Sequence, residues 1–171
     1  MKTKSTKSVV YGGLIAALYV VLTFVANAVG LASGAIQVRL SECLTILPCL
    51  LSSAIPGLTV GCVLANLLTG CAAWDVVFGS LATLLGAIGT RLLRKKPFLA
   101  WILPVISNMI IVPLVLMHVY HIPDVTVFGT TYAGFLPLMI TVGIGEIISC
   151  GLLGLLLYPL AKRVIPAEDQ D

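Results

Sequence analysis

Seven charged or amide side chains lie within, or at the edge of, strongly apolar segments of this 171-residue chain. They are Asn27, Arg39, Glu42, Asn66, Asp75, Asn108 and Glu146. A carboxylate at mid-membrane depth costs roughly 2.5–3.5 kcal/mol on insertion scales. Such groups therefore either pair with one another or serve a ligand. The chemistry that these residue types offer is the recognition of a small polar solute by hydrogen bonds and charge.

The spacing of Arg39 and Glu42, three residues apart, places both on one face of a helix. The pair fits an ion pair at the membrane interface as well as a ligand site. Gln37 and the glycine-rich segment 30–37 before it favour the ligand, because such a loop can close as a lid.

Glu146 ends the sequence VGIGE, in which Gly143 and Gly145 remove side chains and allow a ligand or another backbone to come close. A hydrogen bond to a neighbouring helix is the alternative. We expect the ligand role, because the sequence places no cation in the deep half of the bundle to pair with this carboxylate.

The other polar positions fit two roles each. Asn66 and Asn108 suit hydrogen bonds between helices or to a ligand, since interhelical bonds of this kind are common in membranes. Asp75 fits a helix N-cap as well as a ligand contact. Trp74 fits an interfacial aromatic belt as well as a binding site.

The composition predicts an integral membrane protein with a single transmembrane domain, residues 1–171, and the polar groups within it lead us to expect a substrate-binding role for this domain. Hydrophobic residues make up 59% of the chain, charged residues only 10%, and the mean hydropathy is +1.11. Six helices of about 20 apolar residues each would use about 120–130 residues, which leaves no room for a soluble domain. The net charge of +3 indicates no nucleic-acid partner.

The apolar runs predict an all-α bundle of six transmembrane helices. The predicted spans are about 9–29, 38–53, 56–71, 76–93, 98–119 and 132–164. With six spans, nine of the ten Lys and Arg residues fall on one side, and Arg39 is the exception. Cytoplasmic loops carry the excess of Lys and Arg, so both termini are predicted to be cytoplasmic. The polar groups then converge on a cavity that opens to the outside, a shape for capturing a solute rather than conducting one.

Small residues on the first span predict a surface for a partner helix. Gly12-x-x-x-Ala16 and Gly13-x-x-x-Ala17 are patterns that let helices approach closely in lipid. A similar ridge on the third span, Gly57-x-x-x-Gly61, suits packing within the bundle. The first-span ridge is the better candidate for an external partner.

Several chemistries have no residues to support them. No phosphate-binding G-x-x-x-x-G-K-[ST] loop, H-E-x-x-H motif or G-x-S-x-G motif is present. The five cysteines lack C-x-x-C spacing and fit small apolar helix residues. We therefore expect a binding protein without enzymatic activity, metal or cofactor.

Four stretches of sequence resemble the QueT family of substrate-binding S components of energy-coupling factor (ECF) transporters. They are I-Q-V-R-L-S-E-x-L-T-x-L-P (36–48), A-I-P-G-L (54–58), G-C-V-L-A-N-L-L (61–68) and D-V-V-F-G-S-L-A-T-L-L (75–85). The resemblance implies a bacterial cell-membrane protein that delivers its substrate with a membrane coupling subunit and two cytoplasmic ATPases. It also implies docking through the first helix, at positions that resemble Gly12, Gly13, Ala16 and Ala17.

The family further implies a 7-deazaguanine ligand such as queuine or preQ1, a precursor of queuosine. A guanine-like edge presents two adjacent N–H donors, which one carboxylate accepts together, and a second carboxylate suits the ligand amine. The expected substrate-binding residues are Gln37, Arg39, Glu42, Asn66, Trp74, Asp75, Asn108 and Glu146.

Three alternatives stay open from the sequence. The chain fits an S component for a different vitamin or nucleobase, which ligand co-purification would identify. It fits a stand-alone secondary transporter, which would work without ATPases. It also fits a membrane-embedded thiol oxidoreductase, which would lose function when all five cysteines are replaced.

Overall fold

The computed structural model describes residues 2–31, 37–120, 125–127, 130–132 and 134–170. It confirms the predicted all-α membrane fold, in which the chain passes back and forth through a helical bundle. Its α-helices are α1 (Lys2–Ala28), α2 (Ala54–Leu68), α3 (Ala73–Leu92), the short α4 (Pro97–Ala100) followed by α5 (Ile102–Tyr120), α6 (Phe135–Glu146) and α7 (Gly154–Val164). Between α1 and α2 lies a 3-10 helix, Leu40–Cys49, that we call the central helix.

Four minor elements are also described. A π-helical segment, Ile147–Leu153, joins α6 to α7, and a short 3-10 turn, Ala167–Asp169, follows α7. Strands β1 (Val125–Val127) and β2 (Thr130–Tyr132) pair antiparallel, with Val125 opposite Tyr132.

Within the described part of the chain, four helices are long and apolar enough to cross a membrane, and two apolar helices are shorter. The four are Thr6–Ala28, Ala73–Leu92, Pro97–Val119 and Phe135–Val164. At about 1.5 Å per α-helical and 2.0 Å per 3-10 residue, α2 and the central helix span only about 20–22 Å. A bilayer core is about 30 Å thick.

The central helix differs from the ordinary span predicted for residues 38–53. It packs against α1, α2, α3, α4, α7 and the π-helical segment, and residues 44–51 are all buried. A helix that is enclosed by protein on all sides needs no lipid-facing length, which explains how ten residues suffice. Most of its residues are apolar for the same reason, and its polar residues Ser41, Glu42 and Thr45 are buried as well.

The close contact between α1 and α2 depends on the glycine ridge of α2. A Cβ atom added to Gly57 would lie 2.6 Å from the Gly12 carbonyl oxygen, and one added to Gly61 would lie 3.0 Å from the Ala16 Cα atom. The two backbones can approach this closely only without these side chains. The contact brings Tyr19 of α1, which is fully buried, against the central helix.

The start of α1 and the end of the chain lie at the same end of the bundle. Lys7 forms an ion pair of 2.9 Å with Asp169, and the Tyr11 hydroxyl donates to the same carboxylate at 3.1 Å. At this end Arg91 also donates to the Pro48 carbonyl oxygen at 3.1 Å, which caps the C-terminal end of the central helix. An even number of passes follows from this arrangement.

Candidate functional site

A cavity of about 470 Å³ lies at the other end of the bundle, where α1 ends and α3 begins. The end of α1, the start of the central helix, the end of α2, the start of α3 and the C-terminal half of α5 supply its walls. Its lining residues are Thr23, Ala26, Asn27, Gln37, Arg39, Ser41, Asn66, Thr69, Cys71, Asp75, Gly79, Val112, Val115 and Leu116.

Four of the eight predicted substrate-binding residues line this cavity: Gln37, Arg39, Asn66 and Asp75. The Arg39 guanidinium donates to the Asn66 side-chain oxygen at 3.4 Å, and the Asn66 amide donates to the Asp75 backbone oxygen at 3.3 Å. These bonds fix the Asn66 amide between the central helix and α3. The cavity therefore presents a cation, an amide and a carboxylate to a solute.

The local structure at Asp75 differs from the predicted helix cap. Helix α3 begins at Ala73 after Ala72, which occupies the capping position without a side-chain hydrogen bond. Asp75 lies in the first turn instead, where a carboxylate is stabilised by the helix dipole. Asp75 is thus not the capping residue, and it lines the cavity.

The position of Gln37 depends on Gly145. An added Cβ atom at Gly145 would overlap the Gln37 carbonyl oxygen. Another backbone, rather than a ligand, therefore takes up the space that this glycine leaves, which was one of the two uses predicted for it. The contact anchors the segment before the central helix against α6.

Tyr19 forms the layer beneath the cavity, and the sequence analysis missed it. Its hydroxyl donates to the Glu42 carboxylate and accepts from the Arg39 guanidinium at 3.5 Å. Arg39 is thus connected to Glu42 through a tyrosine. A direct ion pair was one of the two roles that the helical spacing allowed. The sequence did contain a signal for this residue, because Tyr19 lies on the same helical face as Gly12 and Ala16 within an otherwise apolar segment.

Glu42 and Glu146 lie together behind this layer and do not line the cavity. The exposed fraction is 0% for Glu42 and 4% for Glu146. One carboxylate oxygen of each residue and the Cys150 sulfur all lie within 4.8 Å of one another. Two unit charges at 4.8 Å repel by about 3.5 kcal/mol at an effective dielectric constant of about 20. Burial of the two carboxyl groups side by side would therefore be costly with both ionised.

Cys150 was predicted to be only a small apolar residue, yet it joins this cluster. Its thiol donates to Glu146 Oε2 at 3.2 Å and receives a hydrogen bond from Thr45 at 3.4 Å. Together, Glu42, Glu146 and Cys150 offer three atoms of the kinds that coordinate metal ions. The expectation of no metal stays a prediction.

Two atoms of this buried region lack a hydrogen-bond partner among the described residues, Glu42 Oε2 and Asn108 Nδ2. Asn108 is only 2% exposed, and its amide lies beside Glu146. Unpartnered buried polar atoms are uncommon because each costs about 1–3 kcal/mol. The predicted residue Asn108 therefore belongs to the carboxylate cluster, not to the cavity wall.

Trp74 lies outside the cavity, in a second, apolar groove between α3 and α5. It is 60% exposed and stacks on Phe78, with ring centroids 5.8 Å apart. The groove has a volume of about 660 Å³ and includes Leu114 and His118. This placement fits the interfacial aromatic role that the sequence also allowed.

The predicted docking residues divide between two faces of α1. Gly12 and Ala16 face α2, at the contacts with Gly57 and Gly61. Gly13 and Ala17 are exposed, and a Cβ atom added to Gly13 would meet no atom within 4 Å. Only this second pair is available to an external partner.

The predicted lid, the segment 30–37, lies largely outside the described residues, which resume at Gln37. Most of the predicted outer loop between the fifth and last spans also lies outside them, apart from β1 and β2.

Comparison with known proteins identifies the family. A model of the QueT transporter family matches residues 9–163. The queuosine precursor transporter QueT of Lactococcus lactis subsp. cremoris (strain MG1363) is 36% identical over 85 residues, which are 49% of this chain and 49% of that protein. The chain thus matches about half the length of this curated relative. No solved structure matches the chain. Because the family match extends from α1 to α7, the chain belongs to the QueT transporter family, as its sequence motifs had indicated.

Proposed function

We propose that this protein captures a queuosine precursor, a 7-deazaguanine such as queuine or preQ1, from outside a bacterial cell for ATP-driven uptake. The observation that carries the proposal is the polar cavity of about 470 Å³, lined by Arg39, Asn66 and Asp75, in a chain of the QueT transporter family. A volume of this order lies in the range of ligand pockets, about 300–1,000 Å³. The name of the Lactococcus relative supports the substrate class.

The cavity chemistry suits a deazaguanine with an amine. The lactam carbonyl of the ligand would accept from Arg39 or Asn66, and Asp75 would accept from the ligand amine, which is cationic near neutral pH. Gln37 lies at the cavity wall, where it would add a hydrogen bond. These four residues are the proposed direct contacts.

Glu42, Glu146 and Asn108 would act on the ligand from behind the Tyr19 layer. Neither carboxylate lines the cavity. In the geometry described, their influence reaches the cavity through Tyr19 and Arg39. We therefore include these residues in the proposed site as groups that act on the ligand indirectly.

Orientation and coupling complete the proposal. Arg91 lies in the last turn of α3, and Arg94, Lys95 and Lys96 follow that helix, at the end of the bundle opposite the cavity. A cytoplasmic location for this end places the termini inside and the cavity outside. The sequence has no phosphate-binding loop, so the chain would work as an S component, with two cytoplasmic ATPases supplying the energy. It would meet the membrane coupling subunit through the face of α1 that exposes Gly13 and Ala17.

Calorimetric titration of the purified protein tests the substrate class. We expect preQ1 and queuine to bind, and adenine to fail because it lacks the lactam carbonyl. Riboflavin and biotin serve as controls for an S component of another vitamin. Binding of either vitamin, with no response to any deazaguanine, would contradict the proposal. Mass spectrometry of ligand retained through purification provides an independent identification.

A further inference from the structure

Three buried side chains, Glu42, Glu146 and Cys150, bring metal-ligating atoms together inside the bundle. One carboxylate oxygen of each glutamate and the Cys150 sulfur lie within 4.8 Å of one another. Glu42 comes from the central helix, whereas Glu146 ends α6 and Cys150 lies in the π-helical segment that follows. Short π-helical segments frequently occur at functional sites. The cluster thus joins two elements that are distant in the sequence.

Glu42 presents an oxygen that is free to bind a cation. Its Oε1 atom accepts from the Tyr19 hydroxyl, but its Oε2 atom has no hydrogen-bond partner among the described residues, although the side chain is 0% exposed. A buried acceptor without a donor is costly and uncommon. A cation that coordinates Oε2 would satisfy it.

We propose that Glu42, Glu146 and Cys150 bind a divalent metal ion of the zinc type, which ties the central helix to α6 and the π-helical segment. Zn²⁺ accepts both carboxylate oxygen and thiolate sulfur, whereas Mg²⁺ and Ca²⁺ prefer oxygen ligands. When the sulfur coordinates the ion, the Cys150 thiol releases its proton to water. This site is independent of the substrate that the cavity takes.

The observed distances require only small movements of the three ligands. In a tetrahedral zinc site, with metal–oxygen distances of about 2.0–2.2 Å and metal–sulfur distances of about 2.3 Å, the ligand atoms lie about 3.3–3.7 Å apart. The Cys150 sulfur and Glu146 Oε2 are already 3.2 Å apart. The widest separation in the cluster, at most 4.8 Å, would have to shrink by about 1–1.5 Å. Rotation of the side chains can supply this change, and a water molecule would take the fourth position.

Polar neighbours would orient each ligand. In metal sites such partners fix the ligand side chains and strengthen binding. The Thr45 hydroxyl, for example, donates to the Cys150 sulfur at 3.4 Å. The neighbours are Tyr19 for Glu42, Thr45 for Cys150 and Asn108 for Glu146.

The charge of the cluster suits a divalent cation. Two carboxylates and a thiolate together carry three negative charges. The Arg39 guanidinium, which lies 3.5 Å from the Tyr19 hydroxyl, supplies one positive charge, and a divalent ion would supply the other two. An ion between the carboxylates would also offset the repulsion that makes their ionised forms costly to bury.

Cobalt substitution tests the site without substrate or transport. A tetrahedral Co²⁺ ion with a thiolate ligand has a charge-transfer absorption band in the near ultraviolet. The background is Cys71→Ser, which removes the exposed thiol. After chelation in detergent, this protein should bind a single equivalent of zinc by elemental analysis and show the band with cobalt. Absence of the band would mean that no sulfur coordinates the ion and would overturn the proposal.

Cys150→Ala in the same background should abolish the band. Zinc binding should weaken by at least about 100-fold, because loss of an outer partner alone costs about 10- to 100-fold. The matched control is Cys49→Ala, a buried cysteine outside the cluster, which should change neither the band nor the affinity. Equal zinc binding by Cys150→Ala would mean an adventitious ion only and would refute the site.

Thr45→Val provides a second test in case Cys150→Ala does not fold. It removes the hydroxyl that donates to the Cys150 sulfur, so zinc should bind about 10- to 100-fold more weakly while the cobalt band persists. An unchanged affinity would contradict the assigned geometry.

Thermal unfolding in detergent tests whether the ion ties the two elements together. Zinc should raise the unfolding temperature of the Cys71→Ser protein, because a ligand that binds only the folded state stabilises it. Magnesium should have no such effect, and neither should zinc added to Cys150→Ala. Equal shifts with the two metals would refute a zinc-type site. Titration with preQ1, run separately, reports on the substrate class, so failure of one proposal is distinguishable from failure of the other.

Discussion

At the scale of single residues, the site is a relay of polar groups from the cavity to the interior. Asn66 and Arg39 meet at the wall, Tyr19 lies beneath them, and Glu42 and Glu146 lie deepest. Hydrogen bonds link Asn66 to Arg39, Arg39 to Tyr19 and Tyr19 to Glu42. We therefore expect a ligand that contacts the upper groups to sense the buried carboxylates, although these do not line the cavity.

Replacement of Asp75 by asparagine should separate cationic from neutral ligands. Asp75 lines the cavity, and loss of a charge-assisted hydrogen bond costs about 1.5–3 kcal/mol. We expect preQ1, which carries an amine, to bind roughly 10- to 150-fold more weakly to Asp75→Asn. The neutral nitrile preQ0 should bind nearly unchanged. Calorimetric titration of both ligands measures the difference, and equal losses would place the amine elsewhere.

At the scale of elements, the bundle surrounds a short 3-10 helix with longer helices. The central helix is buried along residues 44–51. Its first turn carries Ser41 and Glu42 against α1, with Glu42 near Glu146 at the end of α6. The α1–α2 contact, closed by glycines, fixes Tyr19 against it. The geometry of the relay thus depends on how tightly α1 and α2 pack.

A methyl group at Gly57 should disturb this packing. Its Cβ atom would lie 2.6 Å from the Gly12 carbonyl oxygen, a backbone atom that cannot rotate away. Overpacking of this kind costs about 1–3 kcal/mol, so Gly57→Ala should lower the unfolding temperature in detergent. Gly13→Ala is the matched control, because nothing lies within 4 Å of its Cβ position. A destabilised Gly13→Ala with an unaffected Gly57→Ala would contradict the observed contact.

At the scale of the whole molecule, the two ends of the bundle differ in chemistry. One end holds the polar cavity, and the other holds the Lys7–Asp169 pair and the basic residues after α3. A membrane protein with this asymmetry has a defined orientation. Capture at one end and energy supply at the other are functions that such an arrangement can separate.

Cysteine labelling in a background without other cysteines should establish the orientation. Native Cys71 is exposed at the cavity, whereas Lys95 lies in the basic segment after α3. A membrane-impermeant reagent should reach Cys71 only from outside and Lys95→Cys only from the cytoplasmic side. The reverse accessibility would mean that the cavity faces the cytoplasm and would exclude the proposed uptake.

A bulky residue at Ala17 should separate binding from uptake. Ala17 is exposed on α1, so tryptophan there leaves the bundle intact but blocks close approach of a partner helix. We expect Ala17→Trp to bind preQ1 normally and to lose uptake with the coupling subunit and ATPases. Leu152→Trp, at an exposed apolar position on the π-helical segment, is the control. Unchanged uptake in Ala17→Trp would place the docking surface elsewhere.

The sequence by itself determined the class of protein, the approximate positions of the helices and most of the polar residues that matter. The length of each apolar segment and the distribution of Lys and Arg around it can be read directly from the sequence, one helix at a time. It also identified the family, through motifs such as the one that contains Arg39 and Glu42. The tertiary structure decided which of these residues share a surface. Tyr19 separates Glu42 and Glu146 from the cavity, and Gly12 and Ala16 face α2 instead of a partner. The physical reason is that a polar group or small residue can meet several neighbours in a helical bundle, and only the packing of all helices selects which one it meets.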